Sequence, residues 1–164
     1  MIDPAYCQMM ARYNAWQNKG VRAVVEAMPM DELTKDRGAF FKSIFATLNH
    51  LLWADQLWMS RLAGTPAPGP HNLDYMPTIA AWGAERFRTD GLITQWARKV
   101  QALDLTGDLT WQAVMDQTEY TEPKAMCVVH VFNHQIHHRG QVHAMLTAAG
   151  QVLPATDITA MSKG

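Results

Sequence analysis

The sequence predicts an all-α protein, a four-helix bundle with a small hairpin before the last helix. Three observations carry that expectation. Four long stretches place apolar side chains at helical spacing. Pro and Gly fall between those stretches and at their ends. The 164 residues suffice for one domain with a sizeable core and are too few for two, so residues 1–164 are expected to form a single domain.

Asp3 before Pro4 reads as an N-cap with proline at the first helical position. Tyr6, Met9, Met10, Tyr13, Trp16, Val24 and Met28 then recur at helical spacing until Pro29 ends the pattern. Residues 29–40 form a connector, with a single turn at 31–33 and a break at Gly38. The second helix is expected over 41–63, stopping at Gly64. Its apolar side carries Phe41, Ile44, Phe45, Leu48, Leu51, Leu52 and Leu62, with His50 on the edge of that face. The run from Thr65 to Pro70 holds three prolines and must be loop, continuing to Pro77.

A third helix is expected over 78–103, marked by Ile79, Trp82, Phe87, Ile93, Trp96 and Val100 and weakened by Gly83 and Gly91. Residues 109–114 and 118–121 alternate enough for two short strands about Asp116 and Gln117. Pro123 occupies a first helical position, and the fourth helix runs to Ala149 before Gly150. The remaining tail is expected to lie back over the bundle. In such bundles, sites are built from side chains on facing helices.

Composition narrows the function classes. With 48% hydrophobic and 18% charged residues the chain should fold as a soluble globule. A net charge of -1 with no basic cluster argues against nucleic acid as a partner. No positively charged leader and no apolar run of membrane-spanning length is apparent. Cys7 and Cys127 are far apart and read as reduced thiols, which favours the cytoplasm. The six Trp and eleven Met read first as core packing, and second as a soft apolar pocket.

The chemistry lies in the histidines. Five of the seven fall between His130 and His143, on the predicted last helix. His130, His134 and His138 stack along one side of it, and each brings a polar nitrogen that needs a partner. His134 and His138, at i and i+4, can grip one ion with neutral imidazoles. The glutamate of the helical metalloprotease motif is missing, so that general base is absent. Two ligands leave a first-row metal undercoordinated, and a third must come from elsewhere. His50 is central in the second helix and is the only histidine there. His130 is either a ligand or a hydrogen-bonding neighbour, and His137 is rotated about 60° from His134. His143 projects to the opposite side and reads as a surface residue, and His71 sits in the Pro-rich loop with no spacing that suggests a role.

Asn49-His50-Leu51-Leu52-Trp53-Ala54-Asp55-Gln56-Leu57-Trp58, together with Asn133-His134-Gln135-Ile136-His137-His138-Arg139-Gly140-Gln141, resembles the DinB/YfiT-like metalloenzyme superfamily. This is the damage-inducible family, distinct from the DNA polymerase of similar name. The resemblance runs from the first helix to the tail. It implies a bundle with up-down-down-up connections, commonly a homodimer. It also implies a divalent metal, zinc or nickel most often, held by His50, His134 and His138.

Three protein ligands leave a position open to water, the arrangement of catalytic rather than structural zinc. The reactive group would then be a metal-bound water or a substrate thiolate, with support from Gln141 and His130. The resemblance thus implies a metal-dependent enzyme of thiol-transferase or hydrolase type. Its small-molecule substrate would include a low-molecular-weight thiol such as bacillithiol, mycothiol or glutathione, with access shaped by the loop at 65–77. The alternatives are a non-catalytic metal-binding stress-response protein and a plain dimeric helical bundle with histidines in its core. Of the neighbours, Gly140 reads as a site of close helix approach and Arg139 as a helix contact or ion pair. Cys127 is a candidate fourth soft ligand, and Asp55 a surface acid or a support to the metal ligands.

Overall fold

The computed structural model describes residues 2–114 and 117–163, and helices dominate them. Helix α1 (Pro4–Val25) starts where Asp3 and Pro4 predict: the Asp3 carboxylate accepts the Tyr6 amide at 2.8 Å, satisfying a donor that a helix start leaves unpaired. It stops at Val25, so Met28 falls in the connector. The turn expected after Pro29 is a short helix, α2 (Met30–Thr34), which buries Leu33.

Helix α3 (Ile44–Ala63) begins three residues later than the apolar pattern suggests. Ser43 caps it, its hydroxyl accepting the Ala46 amide at 3.1 Å. Phe41 and Lys42 belong to a tight turn in which the Lys42 amide donates to the Ala39 carbonyl at 2.7 Å and Lys42 itself has φ 66°. Phe41 happens to match the helical phase, which is why periodicity alone carries the helix through it. At the far end Gly64 adopts φ 66°, the left-handed geometry of a helix stop.

Helix α4 (Ile79–Lys99) has Thr78 as its cap rather than its first residue. The chain turns extended at Val100, and residues expected in the helix form a 3-10 turn at Ala102–Leu105. The hairpin is present: β1 (Asp108–Gln112) pairs antiparallel with β2 (Glu119–Pro123), Trp111 opposite Tyr120. Of its expected tip, Asp116 lies outside the described residues. Pro123 closes β2 and precedes helix α5 (Lys124–Ala148) instead of starting it. The tail does fold back: the Tyr13 hydroxyl donates to the Thr156 carbonyl at 2.6 Å, and a last 3-10 turn covers Ile158–Lys163. Among the described residues, no helix is long and apolar enough to cross a membrane.

Side-chain pairings give the directions of the long helices. Asn14 and Asn18 reach Asp90 while Arg22 and Glu26 crowd Gly83, so α1 and α4 are antiparallel. A β-carbon on Gly83 would lie 2.4 Å from Glu26 Oε1, so a larger residue there would displace the Arg22–Glu26 pair. Leu48 meets Trp82 and Asp55 meets Arg86, making α3 and α4 parallel. Trp58 meets His130 and His50 meets His138, so α3 and α5 are antiparallel. Tyr6 meets Phe132 and Asn14 meets Arg139, so α1 and α5 are parallel.

The core is in two parts. One joins Val21, Val25, Leu48, Leu52, Trp82 and Leu146. The other joins Cys7, Met10, Met59, Ile93, Val128 and Phe132. In each long helix the residues between those two sets include buried polar ones: Asn14 and Asn18, Asp55, Arg86 and Asp90, Gln135 and Arg139. Arg86 binds Asp55 at 2.6 Å and Asp90 at 2.9 Å. Arg139 donates to Asn14 and Asn18, and Gln135 to Asp55 at 2.8 Å. Desolvating these charges costs several kcal/mol per ion, roughly, and the mutual pairing offsets it. The bonds that form tie the four long helices together at one level, although Arg86 Nε and Gln135 Oε1 are buried without a hydrogen-bond partner.

Candidate metal centre

His50 on α3 and His134 and His138 on α5 come together. One ligand nitrogen from each lies within 4.8 Å of the other two. His50 Nε2 and His134 Nε2 are 3.2 Å apart. The ring centroids of His134 and His138 are separated by 4.4 Å, and those of His50 and His138 by 4.8 Å. The Asp55–Gln135 bond sits one residue past His134 on α5 and so holds the two helices in the register that brings these rings together.

Tautomers follow from the neighbours. His138 Nδ1 is 2.7 Å from Gln141 Oε1. A carboxamide oxygen only accepts, so the proton sits on Nδ1 and the lone pair of His138 is on Nε2. The Gln141 amide nitrogen meanwhile faces His137 Nε2 at 3.3 Å. His50 Nδ1 faces His71 Nε2 at 3.1 Å. With His50 Nδ1 as the donor to His71, His50 Nε2 is bare and turned toward His134.

Burial keeps the imidazoles neutral. It pushes His134 down to about 3, helped by His138, His50, His130 and His137. It pushes His50 down to about 4, helped by His138 and His71. His138 is lowered by burial too, with the Gln141 bond opposing. Neutral imidazoles with one ring nitrogen each converging form the donor set that a divalent first-row ion takes. The residues therefore fit such an ion.

Other expected residues fall differently. His130 is exposed, its ring 5.7 Å from His134 and 5.2 Å from Trp58, so it flanks the triad. His143 is half-buried near the tail rather than on open surface. Asp55 is only 2% exposed, and it belongs to the buried belt instead of the surface. The expectation of close approach at Gly140 fails, since a β-carbon there would meet nothing within 4 Å. Arg139 is the helix contact expected of it; burial lowers its guanidinium to about 10. Cys127 is buried, its thiol facing the Glu122 carbonyl, and it is not among the converging ligands.

Sequence reasoning missed two residues of the site. Phe41 lies over the His50 ring at 4.1 Å and reaches His138 at 5.4 Å. His71 is delivered by the Pro-rich loop, which Trp53 ties through Gly69 and Asn49 ties through Leu73 and Met76. Loop residues carry no periodicity, so spacing holds no signal for His71. The turn that frees Phe41 from the helix is signalled only by Ser43, a good cap residue with Ala46 three positions on.

A family model described as DinB family matches residues 1–164. The fold is similar to the crystal structure of a DinB-like protein from Bacillus cereus, with a TM-score of 0.63 and 15% sequence identity over 85% of this chain and 90% of that one. Among curated proteins, no match is found.

Proposed function

The chain belongs to the DinB family, and we propose that it is a divalent-metal-dependent enzyme of thiol-transferase or hydrolase type. In this reading His50, His134 and His138 hold a zinc or nickel ion. The observation that carries it is the convergence of three neutral imidazoles from two helices within 4.8 Å. A divalent ion held there supplies Lewis acidity, polarising an electrophile or keeping a thiol ionised. The chain's own residues do the rest: Gln141 and His71 orient two of the imidazoles, Phe41 shields the His50 ring from water, and the buried belt fixes the helix register. Three protein ligands leave room for a substrate atom, as catalytic zinc sites do.

The same reading takes the chain as one domain, a four-helix bundle of up-down-down-up connection. The antiparallel and parallel pairings of α1, α3, α4 and α5 support it. It further takes the protein as a cytoplasmic homodimer acting on a small molecule, with a low-molecular-weight thiol as one substrate.

The test is conjugation of a small thiol with an alkylating electrophile by zinc- or nickel-loaded protein. Turnover should vanish on chelation and return on reloading. In a cobalt-substituted form, azide or thiol should change the visible spectrum. A spectrum indifferent to both would mark a closed site and favour a non-catalytic metal-binding protein.

A further inference from the structure

The hairpin docks beside the triad through one aromatic cluster. Trp111 on β1 packs against Trp58 on α3 at 5.4 Å and stacks on Tyr120 of β2 at 5.7 Å. The Arg61 guanidinium lies over both indoles, 4.7 Å from the Trp58 ring and 5.3 Å from the Trp111 ring. Trp58 in turn touches His130, which touches His134. An aromatic path therefore leads from the imidazoles to a guanidinium. Measured from His134 it is one turn of α5 plus most of a turn of α3, roughly 10 Å along the axes, and from His50 it is eleven residues of α3, roughly 16 Å.

Arg61 is unlike the other buried or half-buried arginines. Arg37 has Glu32, Arg86 has Asp55 and Asp90, and Arg139 has Asn14 and Asn18. Among the described residues, Arg61 has no hydrogen bond and no carboxylate within ion-pair distance; its contacts are the two rings. Burial holds the Cys127 thiol above its ordinary value, so it stays neutral and is no counter-ion. Of the six indole N–H groups, those of Trp53 and Trp82 have an acceptor, and those of Trp58 and Trp111, like Trp16 and Trp96, have none among the described residues. The end of the path thus offers donors and positive charge, and the Glu122 carboxylate that also acts on Cys127 lies beyond ion-pair distance of Arg61. A guanidinium pre-oriented on two rings, with its fork unspent, suits a carboxylate.

We infer that Arg61, seated on Trp58 and Trp111, is a specificity residue that binds a carboxylate at one end of the substrate while the reacting end lies at His50, His134 and His138. The inference rests on the triad as reaction centre for its second half only. It names the substrate class as a small carboxylate-bearing molecule able to span roughly 10 to 16 Å.

The experiment uses glutathione and its diethyl ester as probes, with binding followed by calorimetry and by tryptophan fluorescence, on metal-free and zinc-loaded full-length protein. The parent should prefer the acid to the ester. Arg61→Gln should weaken glutathione binding by about tenfold or more and leave the ester unchanged. Arg61→Lys keeps the charge without the fork and should recover part of the preference. The lysine variant also decides the matter if the glutamine variant perturbs the near-UV tryptophan signal of the free protein. Equal binding of glutathione by parent and Arg61→Gln, no acid-over-ester preference in the parent, or no recovery in Arg61→Lys would each overturn the inference. Zinc uptake by Arg61→Gln should match the parent. A parent that takes up neither zinc nor nickel would overturn the metal reading alone, because the acid-over-ester comparison is also made on metal-free protein.

Discussion

His50 and His134 face one another through their Nε2 atoms at 3.2 Å, too close for both nitrogens to carry a proton. Protonating both would place two cations in contact inside a half-buried cleft. The folded pKa values, about 4 for His50 and about 3 for His134, lie below the ordinary 6.5. Between those limits the unfolded chain binds more protons than the folded one. Metal-free protein should therefore keep its full stability above pH 6.5 and lose it as pH falls toward 4. The loss should be on the order of 2 kcal/mol once the partial exposure of both rings is discounted. Urea midpoints at pH 7.5, 6 and 5 in the presence of a chelator check this, and the dependence should shrink in His134→Ala. Equal slopes in parent and variant would show that the imidazole pair is not its source.

Gln141 fixes the tautomer of His138. Gln141→Ala should weaken zinc binding about 10- to 100-fold without unfolding the protein, while Gln141→Glu, which keeps an acceptor, should retain most of the affinity. Competition titration against a chromophoric chelator reads both. Equal affinity of parent and alanine variant would remove Gln141 from the site.

His71 bears on the same question from the loop. If its bond to His50 Nδ1 sets that ring's tautomer, His71→Ala should alter the nitrogen chemical shifts of His50 in metal-free protein and weaken zinc binding by up to about tenfold. Unchanged shifts would assign His71 to loop packing only.

Asp55 is the hub of the polar belt, joined to Arg86 and Gln135. Asp55→Ala leaves a buried guanidinium short of a partner and should cost about 3–5 kcal/mol. Because the Gln135 bond also sets the register of α3 against α5, the variant that still folds should bind metal more weakly. Denaturant midpoints and zinc titration separate the two effects. A loss below about 1 kcal/mol would deny the belt its structural role.

How far the sequence was legible follows from which signals are local. The starts of α1 and the stop of α3 were readable because Asp3-Pro4 and Gly64 act on adjacent backbone. His134 and His138 were readable because a single helix spaces them. His50 as their partner was not deducible from spacing, since facing helices are related only through the fold; there the family resemblance supplied it. The belt went unread although it leaves a trace. Asn14 with Asn18, Arg86 with Asp90, and Gln135 with Arg139 are each i, i+4 polar pairs lying in line with apolar faces. Taken one helix at a time, such a pair marks the edge of the face. Only the coincidence of all of them at one level shows that the core is divided. Arg61 was invisible for a similar reason, because its second ring comes from the hairpin.

The most direct test of the account is the metal content of the purified protein. Elemental analysis should find about one divalent ion per chain, zinc or nickel, absent from His134→Ala and from His138→Ala although both remain folded. Protein that carries no metal and takes up neither ion on titration would contradict the account, leaving the three imidazoles as polar side chains that satisfy one another.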